Sequence, residues 1–148
     1  MTFKLPDLTF EEVEAGVAEV GRKLFQDSLH QFIQIGDLHL GPGLRNADRI
    51  AALDYVIEAG RKLSHLGAWL WPGDANHGRM SIDDRNVLVQ RVTHMADVAP
   101  VIIVPGNHDL PGDLDFLRSL RTTWPVEVIT SPEVITLELP SSHSGQSA

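Results

Sequence analysis

The sequence predicts an α/β fold in which a parallel sheet carries flanking helices. Three apolar runs with the length of buried strands cover residues 32–35, 68–72 and 101–105. Each run is followed by a short polar string, and segments with helical periodicity lie between the runs. Because parallel strands need long crossovers, which are usually helical, this alternation favours a parallel sheet. The length of 148 residues suits one modest globular domain.

Each of the two predicted crossover helices has a start signal and one apolar side. Asn46 is the candidate cap of the first helix, and Ser81 with Asp84 is the candidate cap of the second. The apolar side of the first helix consists of Ile50, Leu53 and Ile57. The apolar side of the second consists of Leu88, Val92 and Met95. This spacing predicts that the two sides pack on the sheet.

The segment after the third strand is predicted to be less regular. A short helix is expected over residues 111–117, starting at a Pro-Gly-Asp string. Two β-prone stretches follow at 126–130 and 134–139, separated by Ser131 and Pro132. They predict a strand pair or a hairpin.

The domain organisation follows from these elements. Residues 1–28 predict an amphipathic helical extension, with Thr9 and Glu12 as its capping box. Residues 29–140 form the main unit. The serine-rich residues 141–148 show no periodicity and are predicted to be disordered.

Composition excludes several functional classes. The chain has no cysteine, which excludes disulfides, thiolate metal sites and a cysteine nucleophile. The net charge of -8 argues against a protein that coats nucleic acid by itself, because phosphate neutralisation needs clustered Lys and Arg. No apolar run approaches the roughly 20 residues that span a bilayer, and the N-terminus lacks a signal-peptide pattern. We therefore expect a cytoplasmic protein without a membrane partner.

Polar strings follow the three predicted strands at the point where each strand ends. They are Gly36-Asp37-Leu38-His39, Gly73-Asp74-Ala75-Asn76-His77 and Gly106-Asn107-His108-Asp109. Loops that leave the carboxyl ends of parallel strands converge on one crevice, so the strings should meet there. A single Gly-Asp or Asp-x-His string is more often an ordinary turn. Three of them in order after three strands favour a shared site.

The donor atoms in these strings suit metal ions. Asp37 and His39 lie two residues apart, so a hard oxygen and a borderline nitrogen can reach the same ion. Asp74 can bridge two ions, which two-metal hydrolases hold about 3.5–4 Å apart. Asn107 offers a neutral carbonyl oxygen, and His108 can face either an ion or a leaving-group oxygen.

In this order the strings resemble the signature of the calcineurin-like metallophosphoesterase superfamily, which reads Asp-x-His, then Gly-Asp, then Gly-Asn-His-Asp or Glu. The string after Asp74 lacks the Val-Asp-Arg-Gly continuation of the Ser/Thr protein phosphatases. His77 is similar in position to a histidine that DNA-repair nucleases of the SbcD type can carry. The resemblance therefore implies a branch close to those nucleases or to the phage phosphoesterases.

The resemblance also implies metal-binding roles. Four residues are implied ligands: Asp37, His39, Asp74 and Asn107. Asp37 and His39 would hold the first ion. Asp74 would bridge to a second ion, which Asn107 would bind. The implied cofactors are two divalent ions, with Mn²⁺ favoured by oxygen and imidazole ligands and Fe, Zn or Ni as alternatives.

Three further residues are implied to act on the substrate: His77, His108 and Asp109. His108 would protonate the leaving oxygen or stabilise the transition state, and Asp109 would orient the imidazole of His108. His77 would position the scissile phosphate. The implied reaction is hydrolysis of a phosphodiester, with DNA among the candidate substrates, by in-line attack of a metal-bound hydroxide.

The family completes its site with a lone histidine and a Gly-His-x-His string farther along, and this sequence contains neither. The second ion is therefore expected to be poorly coordinated, and the sheet is expected to be incomplete relative to the family's two-sheet α/β sandwich. We interpret the chain as the N-terminal part of a longer enzyme. A missing C-terminal half or a partner subunit would complete the site.

Two functional hypotheses remain open at this level. The first is a metallophosphoesterase, either a phosphodiesterase or a nuclease, whose activity in this chain is an open question. The second is a catalytically incomplete metal- or phosphate-binding fragment or regulatory module. A purely structural α/β module is disfavoured, because three polar strings at strand ends would then be a coincidence.

Overall fold

Four strands form one parallel sheet in the computed structural model, which describes residues 30–43 and 45–139. The strands follow each other in chain order across the sheet: β1 (Gln31–Gln34), β2 (Leu66–Pro72), β3 (Val101–Val104) and β4 (Val126–Val128). Two helices connect the first three strands: α1 (Asn46–Arg61) and α2 (Ile82–Ala96). Neither helix has the length and apolar character needed to cross a bilayer. The predicted α/β class with flanking helices is confirmed.

Strand β2 is the centre of the hydrophobic core. Trp69 and Trp71 point to the same side of this strand, and both are buried. The Trp69 indole N–H donates a hydrogen bond of 2.9 Å to the Met95 carbonyl of α2. The other helix contacts the same ring, because Gly60 of α1 lies directly against it. Both helices therefore cover the same face of the sheet.

Helix α2 begins as its sequence predicts. Ser81 accepts a 3.1 Å hydrogen bond from the Asp84 amide, and the Asp84 carboxylate accepts one of 3.3 Å from the Ser81 amide. This reciprocal capping box satisfies two backbone donors that the first turn leaves free. The predicted inward side is also confirmed, since Leu88, Val92 and Met95 are buried.

Helix α1 begins differently from the prediction. Asn46 is the first residue of the helix, Arg45 precedes it in the cap position, and no side-chain cap hydrogen bond forms. The Asn46 side-chain amide instead accepts a hydrogen bond of 3.2 Å from the Gly41 N–H and donates one of 3.4 Å to Asp84. The prediction that Asn46 caps α1 is wrong, because its side chain joins the loop after β1 to the start of α2.

An ion pair joins the two helices across their exposed side. The Arg91 guanidinium donates two hydrogen bonds of 2.9 Å to the Asp54 carboxylate. The hydrogen bonds to Asp54 raise the pKa of Arg91 above its ordinary value. Such a two-point contact holds the helix pair in one register more firmly than a single ion contact does.

The C-terminal part differs from the predicted strand pair. Only β4 forms within the described residues of this part, and it pairs in parallel with β3, Val101 lying opposite Val126. Residues 134–139 form no strand, and the Val134 side chain is 98% exposed. The hairpin prediction is wrong because β4 takes its partner from the existing sheet edge, while β propensity alone does not supply a partner for the second stretch.

Other predictions concern segments around this sheet. The helix predicted over 111–117 is a 3-10 helix at Asp115–Ser119, with Leu117 buried. The predicted N-terminal extension, residues 1–28, and the predicted disordered tail, residues 141–148, lie outside the described residues.

The contact between Gly60 and the Trp69 ring yields a stability prediction. A Cβ at position 60 would overlap the ring and lie 2.8 Å from the Ile33 Cδ1 atom. We expect Gly60→Ala to lower the free energy of unfolding by about 1–2 kcal/mol, because overpacking exceeds the helix-propensity gain of alanine. Chemical denaturation measures the change.

The matched control is Ala52→Gly at an exposed position of α1. This change should also destabilise the protein, by about 1 kcal/mol, through helix propensity alone. A Gly60→Ala protein as stable as the wild type, or more stable, would show that overpacking does not exceed the helix-propensity gain, contrary to this prediction.

Candidate metal centre

The loops that follow β1, β2 and β3 lie side by side at one edge of the sheet. The His39 amide donates a hydrogen bond of 2.9 Å to the Asp74 carbonyl, and the His77 amide donates one of 2.8 Å to the Leu40 carbonyl. The third loop joins through the Gly78 amide, which donates a hydrogen bond of 3.0 Å to the His108 carbonyl. Short parallel bridges thus extend the sheet pairing into the loops, and the expected convergence is confirmed.

Three residues in these loops have left-handed backbone conformations without being glycine. The φ angles are 50° for Asp37, 48° for His39 and 50° for Asp74. Such conformations are uncommon for residues with a Cβ, and they persist where the surrounding structure enforces them. Here they occur at three of the four residues predicted to bind metal, where they set the direction of the side chains.

Asp37, His39 and Asp74 bring their donor atoms together. One ligand atom from each lies within 4.8 Å of the other two. The His39 Nε2 atom is 3.9 Å from Asp74 Oδ2, and the His39 Nδ1 atom is buried without a hydrogen-bond partner among the described residues. Two carboxylates and one imidazole suit a divalent ion, so the residues fit a metal.

Asp74 also links the second loop to the third. The residue is 9% exposed, and its Oδ1 atom accepts a hydrogen bond of 2.9 Å from the His108 amide. Gly106 is the reason that the two loops can approach so closely, since a Cβ there would overlap the Asp74 carboxylate. The orientation of the carboxylate is therefore set by the loop that carries His108.

The Asp109 carboxylate bonds to backbone rather than to His108. Oδ1 accepts a hydrogen bond of 2.8 Å from the Asn76 amide. Oδ2 accepts bonds of 3.3 Å from the Ala75 amide and 2.8 Å from the Gly106 amide. These contacts do not support the predicted role of Asp109, which was to orient the His108 imidazole. Asp109 is buried and holds the second and third loops against each other.

Three imidazoles form a second cluster that the sequence motifs did not group together. The ring centroid of His39 lies 5.4 Å from that of His77 and 5.0 Å from that of His108, both edge to face. The His77 and His108 rings stack with centroids 4.8 Å apart. A sequence signal existed, because each histidine lies four or five residues beyond the end of a neighbouring parallel strand.

The fourth predicted ligand, Asn107, and two residues that hydrogen-bond to the loops complete the site. Asn107 is exposed in the third loop, and its side chain makes no hydrogen bond to the described part of the chain. Arg49 of α1 donates a hydrogen bond of 2.5 Å to the His39 carbonyl. The Asn76 side chain is buried and donates one of 2.7 Å to the Gly78 carbonyl. Asn76 and Arg49 hold the loops that carry the donors, a role that the strings alone did not indicate.

The close approach of Gly106 to Asp74 yields a prediction for metal affinity. We expect Gly106→Ala to displace the Asp74 carboxylate and to weaken Mn²⁺ binding at least about tenfold, since ligand orientation sets metal affinity. Isothermal titration calorimetry measures the dissociation constant. Gly36→Ala is the control, because a Cβ at position 36 would have no heavy atom within 4 Å. Equal Mn²⁺ affinity in the two variants would contradict this account of Asp74.

Comparisons with known proteins agree with this geometry. The calcineurin-like phosphoesterase family matches residues 30–142, which include all three loops. A search of the curated proteins found no match to the chain. The family match spans well over half of the 148 residues. The chain therefore belongs to the calcineurin-like phosphoesterase family, which indicates metal-dependent hydrolysis of phosphoesters.

Proposed function

We propose that the protein is a metal-dependent phosphodiesterase, with nucleic acid as its substrate class. The observation that carries this proposal is the placement of two kinds of group at one edge of the sheet. The donor atoms of Asp37, His39 and Asp74 lie within 4.8 Å of one another, and exposed His77 and His108 lie beside them. A metal-binding set next to imidazoles that solvent can reach supports phosphodiester hydrolysis, because the ions can activate water and an imidazole can donate a proton.

The metal ligands divide between two ions in this proposal. Asp37 and His39 would hold the first ion, and Asp74 would contribute to both. The Oδ1 atom of Asp74 accepts one hydrogen bond from the His108 amide and keeps a free lone pair, while Oδ2 faces His39. Asn107 would hold the second ion, with Mn²⁺ as the preferred metal for these oxygen and imidazole donors. Bound divalent ions would activate water and neutralise charge on the phosphate.

The second ion has few ligands among the four residues. Asp74 and Asn107 offer it two side chains, whereas octahedral ions such as Mn²⁺ take about six donors. We propose that water, substrate and a further segment of polypeptide fill the remaining positions. A C-terminal extension or a partner subunit would supply that segment.

His108 is the proposed proton donor to the leaving oxygen. Its side chain is exposed, which allows contact with a substrate. Its backbone is held on both sides, since the amide donates 2.9 Å to Asp74 Oδ1 and the carbonyl accepts 3.0 Å from the Gly78 amide. A fixed backbone with an accessible ring suits proton transfer to the leaving oxygen of a phosphodiester at this edge of the sheet.

His77 is the proposed contact to the scissile phosphate. Its ring stacks on that of His108 with the centroids 4.8 Å apart, so the two imidazoles lie side by side. Asp109 is a positioning residue, because its bonds to three amides set the distance between the loops of His77 and His108.

The substrate class follows from the branch of the family that we favour. The histidine at position 77 and the absence of the protein-phosphatase string support a place near nucleases of the SbcD type or phage phosphoesterases. The net charge of -8 means that a polyanion would be attracted by the bound ions rather than by the protein as a whole. Single-stranded DNA is therefore the first natural substrate to test.

Asp74→Asn tests the central role of the shared carboxylate. We expect Mn²⁺-dependent hydrolysis of bis-p-nitrophenyl phosphate and of single-stranded DNA to fall by about 10³-fold, because a shared metal ligand supplies several kcal/mol to the transition state. Asp97→Asn is the matched control, since Asp97 is exposed at the end of α2, away from the loops.

Metal content is measured in parallel by mass spectrometry. Full activity in Asp74→Asn would contradict the proposal. Wild-type protein that binds Mn²⁺ through Asp74 without hydrolysing either substrate would contradict the catalytic function and leave the metal site standing.

His108→Gln tests proton donation to the leaving group. We expect kcat for diphenyl phosphate to fall by about 10²-fold, whereas kcat for bis-p-nitrophenyl phosphate falls less than about tenfold. The reason is that p-nitrophenolate leaves without a proton, while phenolate is more basic. Steady-state kinetics with both substrates gives the ratio.

His94→Gln, at an exposed position late in α2, controls for loss of a histidine as such. Equal losses for the two substrates in His108→Gln would assign His108 to phosphate binding instead of proton donation.

A further inference from the structure

We propose that His39, His77 and His108 form a second metal site, which prefers a borderline ion of the Zn²⁺ class and competes with the carboxylate-rich set for His39. We refer to the three histidines as the imidazole triad. One ring nitrogen from each lies within 4.8 Å of the other two. The inference goes beyond the proposed function, in which His77 and His108 contact substrate and bind no metal.

The triad can accept an ion after rotation of its side chains. In a tetrahedral site with Zn–N bonds of about 2.0–2.1 Å, two ligand nitrogens lie about 3.3 Å apart. The ring of His39 stands at 68° to that of His77 and at 76° to that of His108, whereas the His77 and His108 rings are stacked at 25°, so one of these two must rotate to share an ion. Rotation about χ2, a torsion that is broad for histidine, can close the remaining distance.

The backbone holds the three residues in place without using their rings. The amides of His39, His77 and His108 all donate hydrogen bonds within the loop cluster, at 2.9, 2.8 and 2.9 Å. No side-chain hydrogen bond occupies these rings within residues 30–43 and 45–139, and His39 Nδ1 is buried without a partner there. Asp109, the carboxylate next to His108, is already bonded to three amides. The ring nitrogens therefore remain available as ligands.

The donor chemistry separates the triad from the carboxylate-rich set. Three neutral imidazoles without a carboxylate suit Zn²⁺, Cu²⁺ or Ni²⁺, and three protein ligands leave a fourth position open for water or an anion. Asp37 and Asp74 add two hard oxygens to His39 and suit Mn²⁺ instead. One ring nitrogen binds one ion. An ion in the triad that binds the His39 nitrogen used by the carboxylate-rich set therefore removes His39 from that set.

A functional consequence follows, and it rests on the proposed function. An ion in the triad would occupy the imidazoles of both His77 and His108. Those rings could then neither contact the phosphate nor donate a proton. Zn²⁺ would therefore inhibit hydrolysis that Mn²⁺ supports.

Co²⁺ replaces Zn²⁺ in the first test, because four-coordinate Co²⁺ has intense visible absorption bands. We expect the wild-type chain to develop these bands and to lose them when one equivalent of Zn²⁺ is added. In His77→Ala the bands should disappear, and the Co²⁺ dissociation constant should rise at least about 100-fold. Asp37→Asn, which removes a ligand of the other set only, and His94→Ala, at an exposed position of α2, should keep the bands.

Bands that persist in His77→Ala at unchanged affinity would overturn the proposal. So would bands that disappear in Asp37→Asn, because they would assign the ion to the carboxylate-rich set. Thermal unfolding without metal checks that His77→Ala is folded. If it is not, ¹H–¹⁵N NMR follows the imidazole signals of the wild type during a Zn²⁺ titration. Chemical shifts of His39, His77 and His108 that change together would support the triad, and unchanged shifts in any of the three would overturn it.

Hydrolysis gives the second readout. Zn²⁺ should inhibit Mn²⁺-dependent hydrolysis of bis-p-nitrophenyl phosphate at concentrations that fill the triad. If Zn²⁺ binds to the triad and hydrolysis is not inhibited, the proposal that the two sets compete for His39 is wrong. If the wild type hydrolyses nothing with any ion while the Co²⁺ bands assign to the triad, the proposed function fails and the metal site stands.

Discussion

The buried carboxylate of Asp109 is the interaction on which the arrangement of the site depends. Three backbone amides from two loops, those of Ala75, Asn76 and Gly106, converge on its two oxygens. Hydrogen bonds to a charged group contribute about 1.5–3 kcal/mol each, more than neutral ones. Their partners belong to loops that leave different strands, so the carboxylate keeps these loops together at a fixed separation. The relative positions of Asp74 and His108 follow from that separation.

The same loops contain backbone conformations that residues with a Cβ ordinarily avoid, and one position that has room only for glycine. Asp37, His39 and Asp74 all have positive φ angles, and Gly106 leaves no room for a Cβ beside Asp74. Conformations of this kind cost about 1–3 kcal/mol each, and a well-packed scaffold must hold them. The core around Trp69 provides that scaffold, since both helices pack against one face of the central strand.

His39 lies at the junction of two groups of donor atoms. Its imidazole belongs to two donor sets, one rich in carboxylate and one made of imidazoles alone. The two sets favour different classes of divalent ion, because carboxylate oxygen is a harder ligand than imidazole nitrogen. Membership of the calcineurin-like phosphoesterase family indicates the class of reaction. In the proposed scheme, the surroundings of His39 would decide which ions promote that reaction and which oppose it.

The sequence by itself determined the α/β class, the buried side of α2 with its capping box, and the edge of the sheet at which the polar strings meet. These features depend on periodicity and on residues close in the chain, which a sequence displays directly. Only the tertiary structure decided the partners of Asn46 and Asp109, the pairing of β4 and the grouping of the three histidines. The physical reason is distance along the chain. A hydrogen bond between Asp109 and an amide 33 residues away depends on where two loops lie in space, and local propensity does not contain that information.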